Sequence, residues 1–329
     1  MLTDPPAPAA PLSSRSNHEQ LPIAARGLAK SYGRIVAVDD VDLTVHEGDI
    51  YGFLGPNGAG KTTAMRILLG LLRPNGGQVR LFGRDPQREM PEALDGVAGF
   101  VESPHFYPYL TGRTNLELFA AFDGGDASTR VDRALETVGL EGRARDKVGG
   151  YSQGMRQRLG LAVSLLRQPR LLILDEPTNG LDPGGIRDMR DLIKELAAEG
   201  MTIFLSSHLL AEVEELCTRV AVIRSGQIVY EGSLAELHAS ATPRYRLRTS
   251  DQERAQRLIG NDGRVGELNR QGNELVFSAE EPVVLELSRA LAEAGIGIAA
   301  LIPQTATLEH LFFELTEGGE HPHRLEPVT

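Results

Sequence analysis

The 329-residue sequence contains a single cysteine, Cys217. One thiol can form neither an intrachain disulfide nor a thiolate metal site, and such sparse cysteine is typical of a reducing cytoplasm. Basic residues are also in deficit: 34 lysines and arginines face 45 aspartates and glutamates, so the formal net charge is −11. This acidic balance argues against broad nucleic-acid binding, which depends on clustered basic side chains, although it leaves room for a local basic patch.

Long hydrophobic runs are absent as well. The most extended ones, at 159–166 and 296–302, fall short of the roughly 20 residues that a bilayer crossing needs. The N-terminus does not show the charged and then apolar layout of a secretory signal. The two ends of the chain lack the apolar residues that could offset the entropy of ordering them. We therefore predict disordered tails at 1–22 and 317–329 and no membrane span.

The length suits one large domain and one small domain. Short apolar runs alternate with helix-like patterns through most of the chain, which predicts an α/β core. Antiparallel strands are expected between about 23 and 48, and the pattern from about 90 to 166 is mainly helical. After about 240, strand and helix patterns predict a separate α+β unit. The predicted domains are thus 23–238, with a helical subdomain at about 88–166, and 243–316.

A glycine-rich turn carries the strongest chemical signal. It follows the apolar run Ile50–Leu54 and precedes a predicted helix at Thr63–Leu72. Its sequence fits the phosphate-binding loop in every fixed position. The glycines let backbone N–H groups converge on phosphates, Lys61 supplies a positive charge, and Thr62 supplies a hydroxyl for Mg²⁺. The residues predicted to bind nucleotide in this segment are Gly55, Pro56, Asn57, Gly58, Ala59, Gly60, Lys61, Thr62 and Thr63.

A second signal lies at the end of another apolar run, Leu171–Leu174, which is followed by Asp175 and Glu176. A buried strand would deliver both carboxylates to the sheet edge where ligands gather in α/β proteins. Asp175 would hold Mg²⁺ through water, and Glu176 would polarise the attacking water. An apolar run ending in Asp-Glu is common in structural roles, but the phosphate loop upstream favours the catalytic one. The predicted ligands are ATP and Mg²⁺.

The segment Tyr151–Met155 indicates which kind of ATP-binding protein this is. It resembles the signature of the ABC (ATP-binding cassette) family, in which Ser152 and Gly154 match the second and fourth positions. Gln153 and Met155 depart from the common form, although a Tyr-Ser-x-Gly-Met version is familiar in exporters of the antibiotic-resistance type. Ser152 can cap the next helix and aim the positive helix end at a phosphate, whereas an ordinary N-cap is the alternative for this residue alone. The resemblance covers about 23–235.

The resemblance implies a P-loop ATPase fold of ABC type, in the α/β class: a mixed sheet with helices, an antiparallel β subdomain, a helical subdomain and, here, a small C-terminal α+β domain. It implies that Tyr32 stacks on adenine, that Asp182 lies in a loop touching the opposite subunit, and that His208 contacts the γ-phosphate. Glu102 stands where the family usually has a glutamine. Its carboxylate would reach Mg²⁺ or water and would bring an extra negative charge. Glutamate at this position also resembles the bacitracin- and lantibiotic-export ATPases.

The function implied is an ATP-hydrolysing subunit that drives a separate transmembrane permease, with Glu176, His208 and Lys61 in catalysis and Thr62, Asp175 and Glu102 around the metal. Two copies would pair head-to-tail as a homodimer, each closing the other's ATP site through Ser152 and Gly154. The expected location is the inner face of the membrane, with the permease docking near 102–111. The expected cargo is an antibiotic peptide, a drug or another amphipathic compound.

Two other functions are weighed against transport. The first is a soluble ABC ATPase acting on ribosomes or nucleic acid. The translation-type members carry two cassettes and the DNA-repair types carry long insertions, whereas this chain has one phosphate loop and no such insertion. The second is a regulatory ATPase whose C-terminal domain senses a ligand.

Overall fold

The computed structural model describes residues 21–239, 243–304, 308, 311 and 312. The predicted tails at 1–22 and 317–329 lie outside these ranges, apart from Leu21 and Pro22. The strands are β1 (Ile23–Tyr32), β2 (Ile35–Val45), β3 (Ile50–Leu54), β4 (Gly76–Leu81), β5 (Val97–Phe100), β6 (Leu171–Asp175), β7 (Thr202–Ser207), β8 (Arg219–Arg224), β9 (Gln227–Ser233), β10 (Arg244–Thr249), β11 (Gly266–Gln271), β12 (Glu274–Ser278) and β13 (Ile298–Gln304). The α-helices are α1 (Lys61–Leu68), α2 (Gly112–Asp123), α3 (Val131–Thr137), α4 (Gln153–Leu165), α5 (Pro183–Ala198), α6 (Leu210–Leu216), α7 (Leu234–Ala239), α8 (Gln252–Gly260) and α9 (Glu281–Glu293).

The central sheet has six strands in the order β5-β6-β7-β3-β8-β9. The first five are parallel, and β9 joins β8 as an antiparallel hairpin. Every residue of β3, β6 and β7 is buried, as expected for parallel strands that are covered on both faces. The carboxyl ends of these three neighbours therefore meet at one edge of the sheet.

A smaller antiparallel sheet, β2-β1-β4, covers one face of the central sheet together with α1. It confirms the antiparallel strands predicted between about 23 and 48. Helix α1 begins two residues earlier than predicted and ends at Leu68 rather than Leu72. Gly70 stops it, because its left-handed backbone (φ +71°) lets Leu71 N–H bond to Arg66 O, a common helix-terminating turn.

The other face is covered by α2 to α6. Thr111 and Ser152 cap α2 and α4 by accepting bonds from Thr114 N–H and Met155 N–H. Within the stretch predicted to be mainly helical, about 88–166, Val97–Phe100 is strand β5 at the edge of the central sheet. Four residues that include a glycine are too short a run to show strand periodicity, and only pairing with β6 stabilises them.

The C-terminal part forms an antiparallel sheet in the order β11-β12-β10-β13, with α8 and α9 packed on it. Its core contains Leu247, Ile259, Phe277 and Leu291. The sequence of strand β11 is almost wholly polar and its side chains are mostly exposed, so local pattern does not mark it as a strand. None of the helices in the described ranges combines the length and the apolar composition that a membrane span requires.

Candidate active site

The loop from Gly55 to Gly60 joins β3 to α1 at the carboxyl edge of the central sheet. Gly60 has φ +112°, and a Cβ there would lie 2.2 Å from Ala37 O. A Cβ on Gly55 would lie 2.5 Å from Ile223 O. Glycine is therefore required at both positions for the loop to approach β2 and β8 so closely. Among the described residues no side chain caps the start of α1, which leaves its first N–H groups available to an anion.

Lys61 is only 6% exposed and is held from both sides. Its Nζ donates to Gly55 O at 2.7 Å and lies 3.3 Å from Glu176 Oε1. A buried ammonium group needs such partners, because burial without them would strongly disfavour its charge. The cation is thus placed between the loop and the catalytic carboxylate proposed from sequence.

Asp175 ends β6 and is 5% exposed. Its Oδ2 accepts a bond from Thr62 Oγ1 at 2.9 Å, and its Oδ1 accepts one from Ser206 Oγ at 2.6 Å. The same Ser206 Oγ accepts a bond from Glu176 N–H at 2.9 Å. Ser206 lies opposite Asp175 in the β6–β7 register and is fully buried, so it fixes the positions of both acidic residues.

Glu176 lies between the basic side chains of Lys61 and His208, and its backbone is strained. Its backbone is left-handed, with φ +49°, which is uncommon for a residue other than glycine. Its Oε2 forms a hydrogen bond with His208 Nδ1, while its Oε1 faces Lys61. The structure therefore brings Lys61, Glu176 and His208 together, as the sequence analysis expected.

These groups line a cavity of about 500 Å³. Its walls contain eleven of the residues proposed from sequence: Pro56, Asn57, Gly58, Gly60, Lys61, Thr62, Thr63, Glu102, Asp175, Glu176 and His208. Four wall residues were not proposed: Ala37, Ser103, Gln157 and Asn179. Gly55 and Ala59 belong to the loop but do not line the cavity, and Ala59 is part of the core.

Four further proposed residues lie outside the cavity wall. Tyr32 is 47% exposed at the end of β1, with Lys30 Nζ 5.5 Å from its ring centre. Ser152 and Gly154 lie at the start of α4, and Asp182 caps α5 by accepting a bond from Gly185 N–H at 2.9 Å. Gln153 Nε2 donates to Asn179 O at 2.8 Å and joins the two helix starts. Ser152, Gly154 and Asp182 are thus not part of the cavity wall of their own chain.

Glu102 lines the cavity, but its charge is compensated. Its side chain is 61% exposed and forms an ion pair with Arg66 of α1. The extra negative charge expected beside the phosphates is therefore balanced by a cation that the sequence analysis did not single out. Arg66 follows the phosphate loop on α1, and only the folded chain shows that it faces Glu102.

The residues present fit a magnesium ion carried by a nucleotide. Thr62 and Asp175 place a hydroxyl and a carboxylate 2.9 Å apart, and Mg²⁺ is usually bound through one or two carboxylates together with waters and phosphate oxygens. Across the described ranges, no group of three or more histidine, cysteine, aspartate or glutamate side chains could hold a metal ion. Thr62 and Asp175 therefore suit an ion that brings phosphate and water ligands with it.

A strand, a glycine loop and a helix stand near a buried strand that ends in an aspartate and a glutamate. This arrangement defines a P-loop nucleoside triphosphatase. The sequence profile of the ABC transporter family matches residues 38–179. The ABC transporter ATP-binding protein YdbJ of Bacillus subtilis is 43% identical over 88% of this chain and 94% of its own length. The bacitracin transport ATP-binding protein BcrA of Bacillus licheniformis is 41% identical over 90% of this chain and 98% of its own length. This chain belongs to the ATP-binding proteins of the ABC transporter family.

A solved structure supports the same fold. A dimeric, post-hydrolysis ATP-binding cassette bound to ADP and Pi superposes with a TM-score of 0.58 at 25% identity, over 64% of this chain and 98% of that one. The predicted ABC-type fold class is confirmed. The chain is a nucleotide-binding ATPase of the P-loop ABC type, as the sequence analysis predicted.

Proposed function

We propose that this ATPase powers a separate transmembrane permease that exports an antibiotic peptide, a drug or another amphipathic compound. Transporter ATP-binding proteins such as BcrA, named for bacitracin transport, support this choice over action on ribosomes or nucleic acid. The observation that carries the mechanism is the meeting of Thr62, Asp175, Lys61 and Glu176 at one cavity. We place the protein at the inner face of the membrane.

The catalytic cycle begins with phosphate binding at the loop. Backbone N–H groups of the loop and the start of α1 receive the phosphate oxygens, and Thr62 and Asp175 would hold Mg²⁺, which neutralises charge as it develops on the phosphates. A γ-phosphate near Lys61 competes with Glu176 for the ammonium group, which lies 3.3 Å from that carboxylate. Glu176 is then free to accept a proton from the attacking water, while its hydrogen bond to His208 keeps it oriented.

Ser152 and Gly154 do not line the cavity of their own chain, which supports a site that a second copy completes. We propose a head-to-tail homodimer in which Ser152 and Gly154 of one protomer seal the nucleotide held by the other. Tyr32 would stack on the adenine, and Asp182 would contact the opposite protomer. ADP- and Pi-bound dimers of a related cassette support this arrangement. Hydrolysis would remove the γ-phosphate contact and let the protomers part.

The permease would dock on the segment 102–111 in the helical part of 23–238. Tyr107 and Tyr109 are 50% and 64% exposed, and their ring centres are 5.9 Å apart. Asn115 is fully buried and fixes this segment, since its side chain accepts a bond from Tyr107 N–H and donates to Tyr107 O. An exposed aromatic pair on a pinned loop suits a protein interface. We assign 243–316 to a separate small domain.

The catalytic assignment is tested with Glu176→Gln. Loss of a general base should lower ATP turnover by about 10²–10⁴-fold while Mg-ATP binding persists. Glu195→Gln, an exposed change in α5, is the matched control and should hydrolyse ATP normally. Normal turnover by the Glu176 variant would refute the assignment.

The transport assignment is tested by purifying the tagged chain from detergent-solubilised membranes. A co-purifying hydrophobic membrane protein supports transport. Co-purifying ribosomes or nucleic acid without a membrane protein would overturn it.

A further inference from the structure

Gln157 in α4 has no role in the mechanism described so far, yet it lines the nucleotide cavity. The residue is only 3% exposed. Its Oε1 is buried and receives no hydrogen bond from any described residue. A buried amide oxygen without a donor is rare, because it forgoes the bonds that it made with water.

The position of Gln157 on α4 explains why it reaches the cavity. Gly160 lies three residues further along and packs so closely against the segment after β5 that a Cβ would be 2.3 Å from Pro104 Cγ. Residues three apart share one face of a helix, so Gln157 faces the same segment. Glu102 and Ser103 of that segment also line the cavity.

Helix α4 begins after Ser152, and at this helix start Ser152 and Gly154 would seal the nucleotide of the partner protomer. Ser152 accepts its capping bond from Met155 N–H at 3.2 Å, so the cap is part of the same rigid helix as Gln157. Helix α4 therefore contacts its own cavity through Gln157 and offers its start to a second site.

We infer that Gln157 is a positioning residue that couples the nucleotide in its own cavity to the helix start that closes the partner's site. Its Oε1 accepts a hydrogen bond from the water beside the γ-phosphate. Binding of ATP then fixes α4 in the position that the partner needs. This inference rests on the proposed head-to-tail homodimer.

The test uses Gln157→Met in the full chain carrying Glu176→Gln to block hydrolysis. Methionine has a similar length and shape but no amide. Ser164→Ala in the same background is the control, because Ser164 is 4% exposed on the same helix, its hydroxyl donates to Gly160 O, and it does not line the cavity. For each protein, thermal unfolding is measured without nucleotide, ATP and ADP affinities by titration, and ATP-driven association by sedimentation.

Removal of an unpaired buried oxygen should leave the unfolding temperature of the Gln157 variant unchanged or raised. Its ADP affinity should stay at the reference value, whereas ATP-driven association should weaken by about tenfold, the effect of one lost buried hydrogen bond. The inference is overturned if association matches the reference, or if ATP and ADP affinities fall together with the unfolding temperature. If the Glu176→Gln reference itself neither binds ATP nor associates, it is the proposed function that fails.

Discussion

Ser206→Ala is the sharpest test of how the central sheet builds the site. Ser206 donates to Asp175 at 2.6 Å and accepts from Glu176 N–H at 2.9 Å, with its side chain fully buried. Loss of a bond to a charged group costs about 1.5–3 kcal/mol, and the partly buried Glu176 N–H would lose its partner as well. The variant should therefore lose about 3 kcal/mol or more in free energy of unfolding.

The same substitution should affect catalysis through geometry. Asp175 and Glu176 would lose their shared anchor, and small displacements of reacting groups can cost about 10²-fold in rate. We expect ATP turnover to fall by about 10–100-fold, with a smaller change in nucleotide affinity. Thermal unfolding and steady-state ATPase assays measure the two effects.

Ser207→Ala is the matched control for Ser206→Ala. Ser207 is 3% exposed, and its Oγ accepts a bond from Leu209 N–H at 2.9 Å, so the control also removes a buried hydroxyl. It should cost about 1 kcal/mol and leave turnover near the normal rate. Equal stability and equal turnover in the two variants would refute the anchoring role of Ser206.

Two further predictions concern the surroundings of the site. Burial raises the pKa of Glu212, which accepts a bond from Thr178 and has a second oxygen without a partner among the described residues. Because the pKa of Glu212 is raised in the folded state, the contribution of this group to stability is fully present below its unfolded pKa of about 4.3. That contribution is lost as pH rises through the folded pKa. Glu212→Gln should therefore unfold at a higher temperature than the natural protein at pH 8, and the gap should close near pH 4; a gap independent of pH contradicts this. Tyr109→Ser should abolish co-purification of the membrane partner without lowering basal ATPase activity, whereas Leu285→Ser, equally exposed in the C-terminal part, should do neither; retained co-purification contradicts the docking surface.

ATP hydrolysis could be predicted from motifs that are contiguous in sequence, because the chemistry of these motifs does not depend on distant contacts. The phosphate loop and the Asp175–Glu176 pair could be recognised from residue order and a flanking apolar run. Ser206 could not, since its role follows from the pairing of β6 with β7, two strands separated by α5. Arg66 and Gln157 could not either, because helical sequence alone does not show which face meets the cavity.

Strand β5 and the end of helix α1 differ from what the local sequence pattern indicates. Strand β5 has only four residues and includes Gly99, so it shows no clear period. Pairing with β6 is what holds it in the sheet. The end of α1 was placed too late, because the apolar run continues through Leu72, whereas the backbone turn at Gly70 decides the boundary. Long-range pairing and single glycines outweigh local pattern in both cases.

The backbone of Glu176 shows how stability and function are opposed at this site. A left-handed conformation costs a residue other than glycine about 1 kcal/mol or more. Glycine would relieve that strain, but it would remove the carboxylate that faces Lys61 and bonds to His208. The strain persists because Ser206 holds the Glu176 N–H while the two basic side chains hold the carboxylate. These contacts keep the proton acceptor in place before substrate arrives, so little reorganisation is needed when the attacking water is deprotonated.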